Sequence, residues 1–223
     1  MSTRSSRPRR TRAPRRPRSD GDRSREAILR TAANLATVEG ITGLSLSRLA
    51  DAVGMSKSGL FAHFGSKEEL QLATIETASR IYDDVVVHPA LAEATGIDRL
   101  KALSERFLVH VEEAVFPGGC FFASVAAEVD TQPGPVRDRA VQVVSSWIGL
   151  VTQAVVDAQA EGTLDPAEDP DQLAFEIDAY LLLANAQFVV SGSTEPLERA
   201  RRAIARRLEL AAPQRQRRRS AQR

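Results

Sequence analysis

Residues 45–67, SLSRLADAVGMSKSGLFAHFGSK, constrain the fold of this chain more than any other stretch. Leu46, Leu49, Ala50 and Val53 recur at i, i+3, i+4 and i+7, the one-sided apolar stripe of a helix. Ser45 stands where an N-cap hydroxyl accepts an orphan backbone N–H. Gly54 follows the stripe, where a left-handed residue ends a helix. A second helix begins near Ser56 and turns Leu60, Phe61 and Phe64 inward. Two short helices joined by a tight turn can present the second one to the major groove of DNA. On that helix Lys57, Ser58, Gly59 and Ala62 face the groove. Lysine and serine can bond base edges, glycine permits close approach, and alanine can meet a thymine methyl. Ser45, Ser56, His63 and Lys67 are placed to address phosphates, partly through helix N-termini.

The order Gly40, Ser45, Leu49-Ala50, Val53-Gly54-Met55-Ser56, Leu60-Phe61, His63-Phe64 and Ser66-Lys67-Glu68-Glu69-Leu70 resembles the DNA-binding domain of the TetR family of one-component transcriptional regulators. The resemblance is dense over residues 25–73 and rests on many positions in register. It implies an all-α protein, a sequence-specific DNA-binding homodimer and a small-molecule effector held in a helical body. It implies a repressor on a palindromic operator, released by that effector. Phe61 occupies a position that is commonly tyrosine in the family, where the hydroxyl touches a phosphate; this chain lacks that hydroxyl.

Charge divides the chain in three. Residues 1–25 carry ten arginines against Asp20 and Asp22, and residues 211–223 carry five arginines and no acid. With a net charge of only +1 for all 223 residues, the segment between is strongly acidic. That asymmetry argues against a protein that coats DNA without sequence preference, and basic tails add phosphate contacts that read no bases. The Arg-, Pro- and Ser-rich residues 1–21 read as a disordered arm, either a solubilising tail or a segment that lies on phosphates. Residues 22–70 read as the three-helix head, 71–211 as the body and 212–223 as a basic tail.

The rest reads as helical throughout. A first helix spans about residues 24–38 and stops at Gly40. Ser66 and Glu69 have the spacing of a capping box, which opens a helix running to about Val87, before Pro89. That helix is long enough to join head and body, a plausible lever. Further helices are expected over about 97–115, 121–129, 135–162, 170–190 and 195–211, each bounded by Gly or Pro. The 170–190 helix has two apolar faces: Leu173, Ile177, Leu181, Ala184 and Phe188 on one, Phe175, Leu182, Ala186 and Val189 on the other. A helix apolar nearly all round needs cover nearly all round, either as a central core helix or from a second copy. The expected dimer interface comprises Phe175, Leu182, Ala186 and Phe188, with Ile204 and Leu208 from the last helix.

Catalytic signals are sparse. No Gly-rich phosphate loop, HExxH, CxxC or GxSxG occurs, and His63, His88 and His110 are scattered. A helical enzyme therefore remains only an alternative, and no cofactor or metal is expected. Cys120 is the sole cysteine, which excludes an intramolecular disulfide and fits a cytoplasmic setting. Its apolar neighbours favour an inert buried thiol over a nucleophile or redox sensor. No run of the sequence reads as a membrane span. For a ligand, Tyr82, Phe107, His110, Phe116, Phe121, Trp147 and Gln187 sit on helices that should converge, although aromatic residues at helical spacing also serve as plain core.

Overall fold

The computed structural model describes residues 20–213, and every regular element among them is helical. The head comprises α1 (Asp20–Glu39), α2 (Leu46–Val53) and α3 (Lys57–Phe64). The linking helix α4 (Lys67–Tyr82) passes through a wide π turn (Asp83–Val87) into one last turn, α5 (His88–Leu91). The body adds α6 (Gly96–Glu112), α7 (Phe121–Val129), α8 (Pro135–Ala160), α9 (Pro170–Ser191) and α10 (Glu195–Ala211). The Arg-rich arm to residue 19 and the tail from 214 lie outside the described residues.

Local chemistry sets the head's boundaries. Ser45, Ser56 and Ser66 cap α2, α3 and α4, their hydroxyls accepting from the N–H of Arg48 at 3.2 Å, Gly59 at 3.1 Å and Glu69 at 3.1 Å. Gly54 ends α2 at φ 66°, in the left-handed region that glycine enters without a Cβ penalty. Only half of the expected capping box forms: the Ser66 N–H donates to the Phe64 carbonyl at 2.7 Å, not to Glu69. Ile28, Leu29, Ala32, Leu44, Leu49, Leu60, Phe64 and Leu70 make a small core of the head's own. The Arg25 guanidinium lies over the Phe64 ring, 4.5 Å from its centroid.

Three helix boundaries differ from the sequence reading, one of them the end of α6 at Glu112, three residues before the expected 115. α1 begins at Asp20, four residues early. The linking helix does not stop before Pro89, because the π turn absorbs the proline: the His88 N–H reaches back to the Asp83 carbonyl, five residues away. That widening accommodates a ring that has no N–H and crowds the preceding turn.

A larger core fills the body, built from Leu100, Leu103 and Phe107 of α6, Val125 of α7, Val151 and Val155 of α8, and Leu173, Ile177 and Leu181 of α9. By length and hydropathy alone α8 and α9 qualify as membrane spans, at 1.3 and 1.4 over 18 residues, contrary to the sequence reading. Both contribute long rows of side chains to this core. Arg201 holds α10 against α6 through Glu105 and Glu112, and Arg207 holds it against Glu168 and Glu176.

Head and body meet closely. The Gly118 N–H donates to the Thr37 hydroxyl at 3.1 Å, and a Cβ at Gly118 would lie only 2.0 Å from the Thr37 carbonyl oxygen. Arg30 of α1 donates to the Val115 carbonyl at 2.6 Å and lies over the Phe116 ring.

Candidate nucleic-acid interface and body cavity

α3 buries Leu60 and Phe64 and leaves its other face open. Lys57, Ser58, Phe61, Ala62 and His63 are exposed there, with Gly59 half-buried at the first turn. Phe61, expected inward, is instead 57% exposed, because Leu60 and Phe64, four residues apart, take the face that anchors the head. The phosphate candidates are busier than their positions suggest. The Ser45 and Ser56 oxygens are engaged as caps, and the Lys67 ammonium donates to the Thr42 carbonyl. A capping hydroxyl accepts with its lone pair, so its O–H stays available as a donor.

Within the body lies a cavity of about 390 Å³. Of the seven residues expected at a ligand, Tyr82, Phe107 and Trp147 line it. Their rings pack together: Tyr82 meets Trp147 edge-on at 5.5 Å, and Phe107 lies 6.0 Å from Trp147. His110, Phe116 and Phe121 are buried behind this wall and do not border the cavity, whereas Gln187 is exposed. α7 turns Phe122, not Phe121, toward the space. Sequence reasoning also missed Cys120, Asp83, Asp178 and Arg139 on the cavity wall. The sequence carried no signal that singled out Asp178, since Glu176 also interrupts the apolar residues of α9.

The polar groups of the wall are constrained. Asp178 accepts from the Trp147 indole N–H at 2.8 Å. Desolvation raises the pKa of Asp178, and of Asp83 on the π turn, above the ordinary carboxylate value. Arg139 donates twice to Glu76, at 2.5 and 2.9 Å, and once to Gln142. Burial pushes the Cys120 thiol up to about 11, so it stays protonated and a poor nucleophile at neutral pH.

His110 has both ring nitrogens buried and without a hydrogen-bond partner, between Tyr82 at 5.4 Å and Phe116 at 5.6 Å. Burial, with a smaller push from Arg30, lowers its pKa from 6.5 to about 4. The folded state thus keeps His110 neutral where the unfolded chain takes a proton, and stability falls as pH drops from about 6.5 toward about 4. The loss attributable to this residue reaches about 2 kcal/mol at pH 5. His110→Leu is expected to remove that part of the acid dependence, measured as the difference between wild-type and variant urea midpoints at pH 7.5 and pH 5. An equal acid shift in both proteins would contradict the assignment.

One bond set joins cavity and head. α7 walls the cavity with Phe122, Ala123 and Ala126 and also carries Glu128. The Glu128 carboxylate accepts from the N–H of Ile41 at 2.6 Å, the N–H of Thr42 at 2.8 Å and the Thr42 hydroxyl. It thereby holds the loop between α1 and α2. Gln71 of α4 donates to the Ile41 carbonyl from the other side, at 2.6 Å.

The candidate interface between copies divides. Phe175, Leu182 and Ala186 of α9 are exposed, and Phe188 is half-buried against the body core. Exposed Leu183 and Val190 extend this apolar face. Ile204 and Leu208 point the other way, buried in their own protomer beside Ile97 and Leu108. The outer face of α10 offers Arg199, Arg202 and Arg206 instead, because its apolar stripe is consumed by packing on α6 and α9.

Comparison with known proteins bears on both parts. Residues 28–74 match the family model "Bacterial regulatory proteins, tetR family", and residues 96–204 match "Tetracyclin repressor-like, C-terminal domain". The chain is 28% identical over 178 residues to the HTH-type transcriptional repressor NemR of Escherichia coli K12, covering 79% of this chain and 89% of that protein. A TetR transcriptional regulator from Chloroflexus aurantiacus superposes with a TM-score of 0.76 at 29% identity, over 83% of this chain and 93% of that one. AibR, solved in complex with isovaleryl coenzyme A and operator DNA, has the same fold, with a TM-score of 0.66 at 24% identity over 80% and 94% of the two chains.

Proposed function

Because the chain belongs to the TetR family of DNA-binding transcriptional regulators, which are not enzymes, we propose that it represses transcription as a cytoplasmic homodimer on a palindromic operator and is released by a small molecule bound in its body. Residues 22–70 serve as the reading head and 71–211 as the effector-binding and dimerising body. The observation that carries this reading is the connection of the cavity to the head: α7 walls the cavity and its Glu128 grips the α1–α2 loop. A compound that displaces α7 must either move that loop or break those bonds. A ligand that favours the displaced arrangement shifts the population away from the DNA-competent one, and DNA opposes the ligand by the same factor. AibR, crystallised with an acyl-coenzyme A and operator DNA together, supports the pairing of effector and operator in one protein of this fold. Two heads on a twofold body must reach successive major grooves, about 34 Å apart or a multiple of that.

The reading is tested on the head. Duplexes are first selected from a random library by the wild-type protein. Single-base variants of the selected site are then titrated at fixed salt with Lys57→Ala and Lys67→Ala. Each variant loses one charge, so electrostatics alone predicts the same profile for both. Lys57 stands exposed at the first turn of α3, and losing a base contact there is expected to cost about 1–3 kcal/mol of discrimination at one position per half-site. Lys67, tied to the Thr42 carbonyl, is expected to weaken all sequences alike. Identical profiles would remove Lys57 from base readout, and a wild type that selects no sequence would overturn the operator reading.

A further inference from the structure

We propose that the body cavity takes an organic cation, because its wall combines two carboxylates, Asp83 and Asp178, with the rings of Tyr82, Phe107, Phe122 and Trp147. The inference rests on the reading of this cavity as the effector site and adds the chemical class of the effector. Charge on the wall is unbalanced. Neither Asp83 nor Asp178 forms an ion pair among the described residues, and the Asp178 contact is with a neutral indole N–H. The guanidinium of Arg139 is already matched by the bidentate Glu76 carboxylate behind it. Taken with that partner, Arg139 adds no net charge, and the two aspartates remain. His88, whose field reaches Asp83, pairs with Asp84 at 3.4 Å on the exposed side of the turn.

The three classes of ligand meet this wall differently. An apolar neutral molecule would expel water from both carboxylates and give nothing back, which burial of a charge penalises. An anion would face two like charges, and to use Arg139 it would have to break the Glu76 pair. A cation would offset the cost of the desolvation that already raises both aspartates, and the aromatic faces would attract it as well. A cavity of about 390 Å³ suits a compact aromatic or alkyl ammonium compound.

The chain's single tryptophan, Trp147, lines the cavity and reports occupancy by its fluorescence. Three probes of similar size are titrated into the full-length protein: benzyltrimethylammonium, its neutral carbon isostere neopentylbenzene, and benzylsulfonate. Saturable quenching by the cation is expected, at least about tenfold tighter than by the isostere. Asp178→Asn keeps an acceptor for the Trp147 N–H, and it is expected to weaken the cation about tenfold while neopentylbenzene binds at least as tightly, since it no longer desolvates that charge. Asp83→Asn should act the same way. Neopentylbenzene binding at least as tight as in the wild type shows that each variant retains the folded cavity. Equal or tighter binding of the isostere or the sulfonate, or no quenching by the cation, would overturn the proposal. Affinity for the selected duplex, measured with and without each probe, separates this inference from the effector reading. Release of DNA by the neutral or anionic probe alone would keep the effector site and discard the cation. Cation binding that leaves DNA affinity unchanged would keep the cation site and discard the effector reading.

Discussion

Phe175→Glu combined with Leu183→Glu is expected to turn a dimer into a folded monomer at micromolar concentration and to abolish specific DNA binding. The two side chains stand 67% and 58% exposed on α9, so neither is needed to fill the protomer's own core. They lie eight residues apart on one face of a helix that buries Leu173, Ile177 and Leu181 on the other. In a twofold interface each substitution occurs twice. Removing four apolar side chains worth about 1.5–3 kcal/mol each gives about 6 kcal/mol or more, before any cost of burying the new charges. That raises the dissociation constant by a factor on the order of 10⁴. A lone head then loses the gain from two linked half-sites. Sedimentation equilibrium gives the mass, and circular dichroism confirms the helices. A wild type that sediments as a monomer, or a double variant that remains a dimer, would refute the α9 interface.

Glu128→Ala is expected to uncouple cavity from head. The substitution removes the acceptor of the Ile41 and Thr42 N–H groups and of the Thr42 hydroxyl. Hydrogen bonds to a charged acceptor contribute about 1.5–3 kcal/mol each, so a stability loss of about 3 kcal/mol or more is expected. The Ile41 and Thr42 amides should exchange with solvent at least about a hundredfold faster, a local opening that hydrogen exchange resolves. For any compound that quenches Trp147, the ratio of its affinities with and without bound DNA measures the coupling. In the wild type that ratio should differ from one, and in Glu128→Ala it should approach one. Glu128→Gln, which keeps one carbonyl oxygen, should fall between. A ratio unchanged in Glu128→Ala would place the coupling elsewhere, with α4 and its Gln71 bond to Ile41 the next element to test.

The head was largely legible in the residue order because its determinants are local. Ser45, Ser56 and Ser66 each cap an N–H three residues on, and Gly54 ends α2 through its own backbone geometry. Such contacts depend on neighbours in sequence, so spacing alone exposes them. The two-faced character of α9 was legible for the same reason, since a helical period sorts one side from the other.

Tertiary structure decided what lies between helices. Phe121 and Phe122 are adjacent in sequence, yet only the docking angle of α7 turns Phe122 to the cavity and Phe121 into the core. Ile204 and Leu208 were apolar in the sequence, but whether their stripe faces α6 or a second copy depends on how α10 is laid down. The continuation of the linking helix through Pro89 required a π turn that no propensity encodes. Nothing in the neighbours of Glu128 along the chain marks it, because its partners Ile41 and Thr42 are 87 and 86 residues away. Residue order determines which face of each helix is apolar and where each helix starts. Only packing, through the rotation of each helix about its own axis, decides which of those faces meet and which enclose a space.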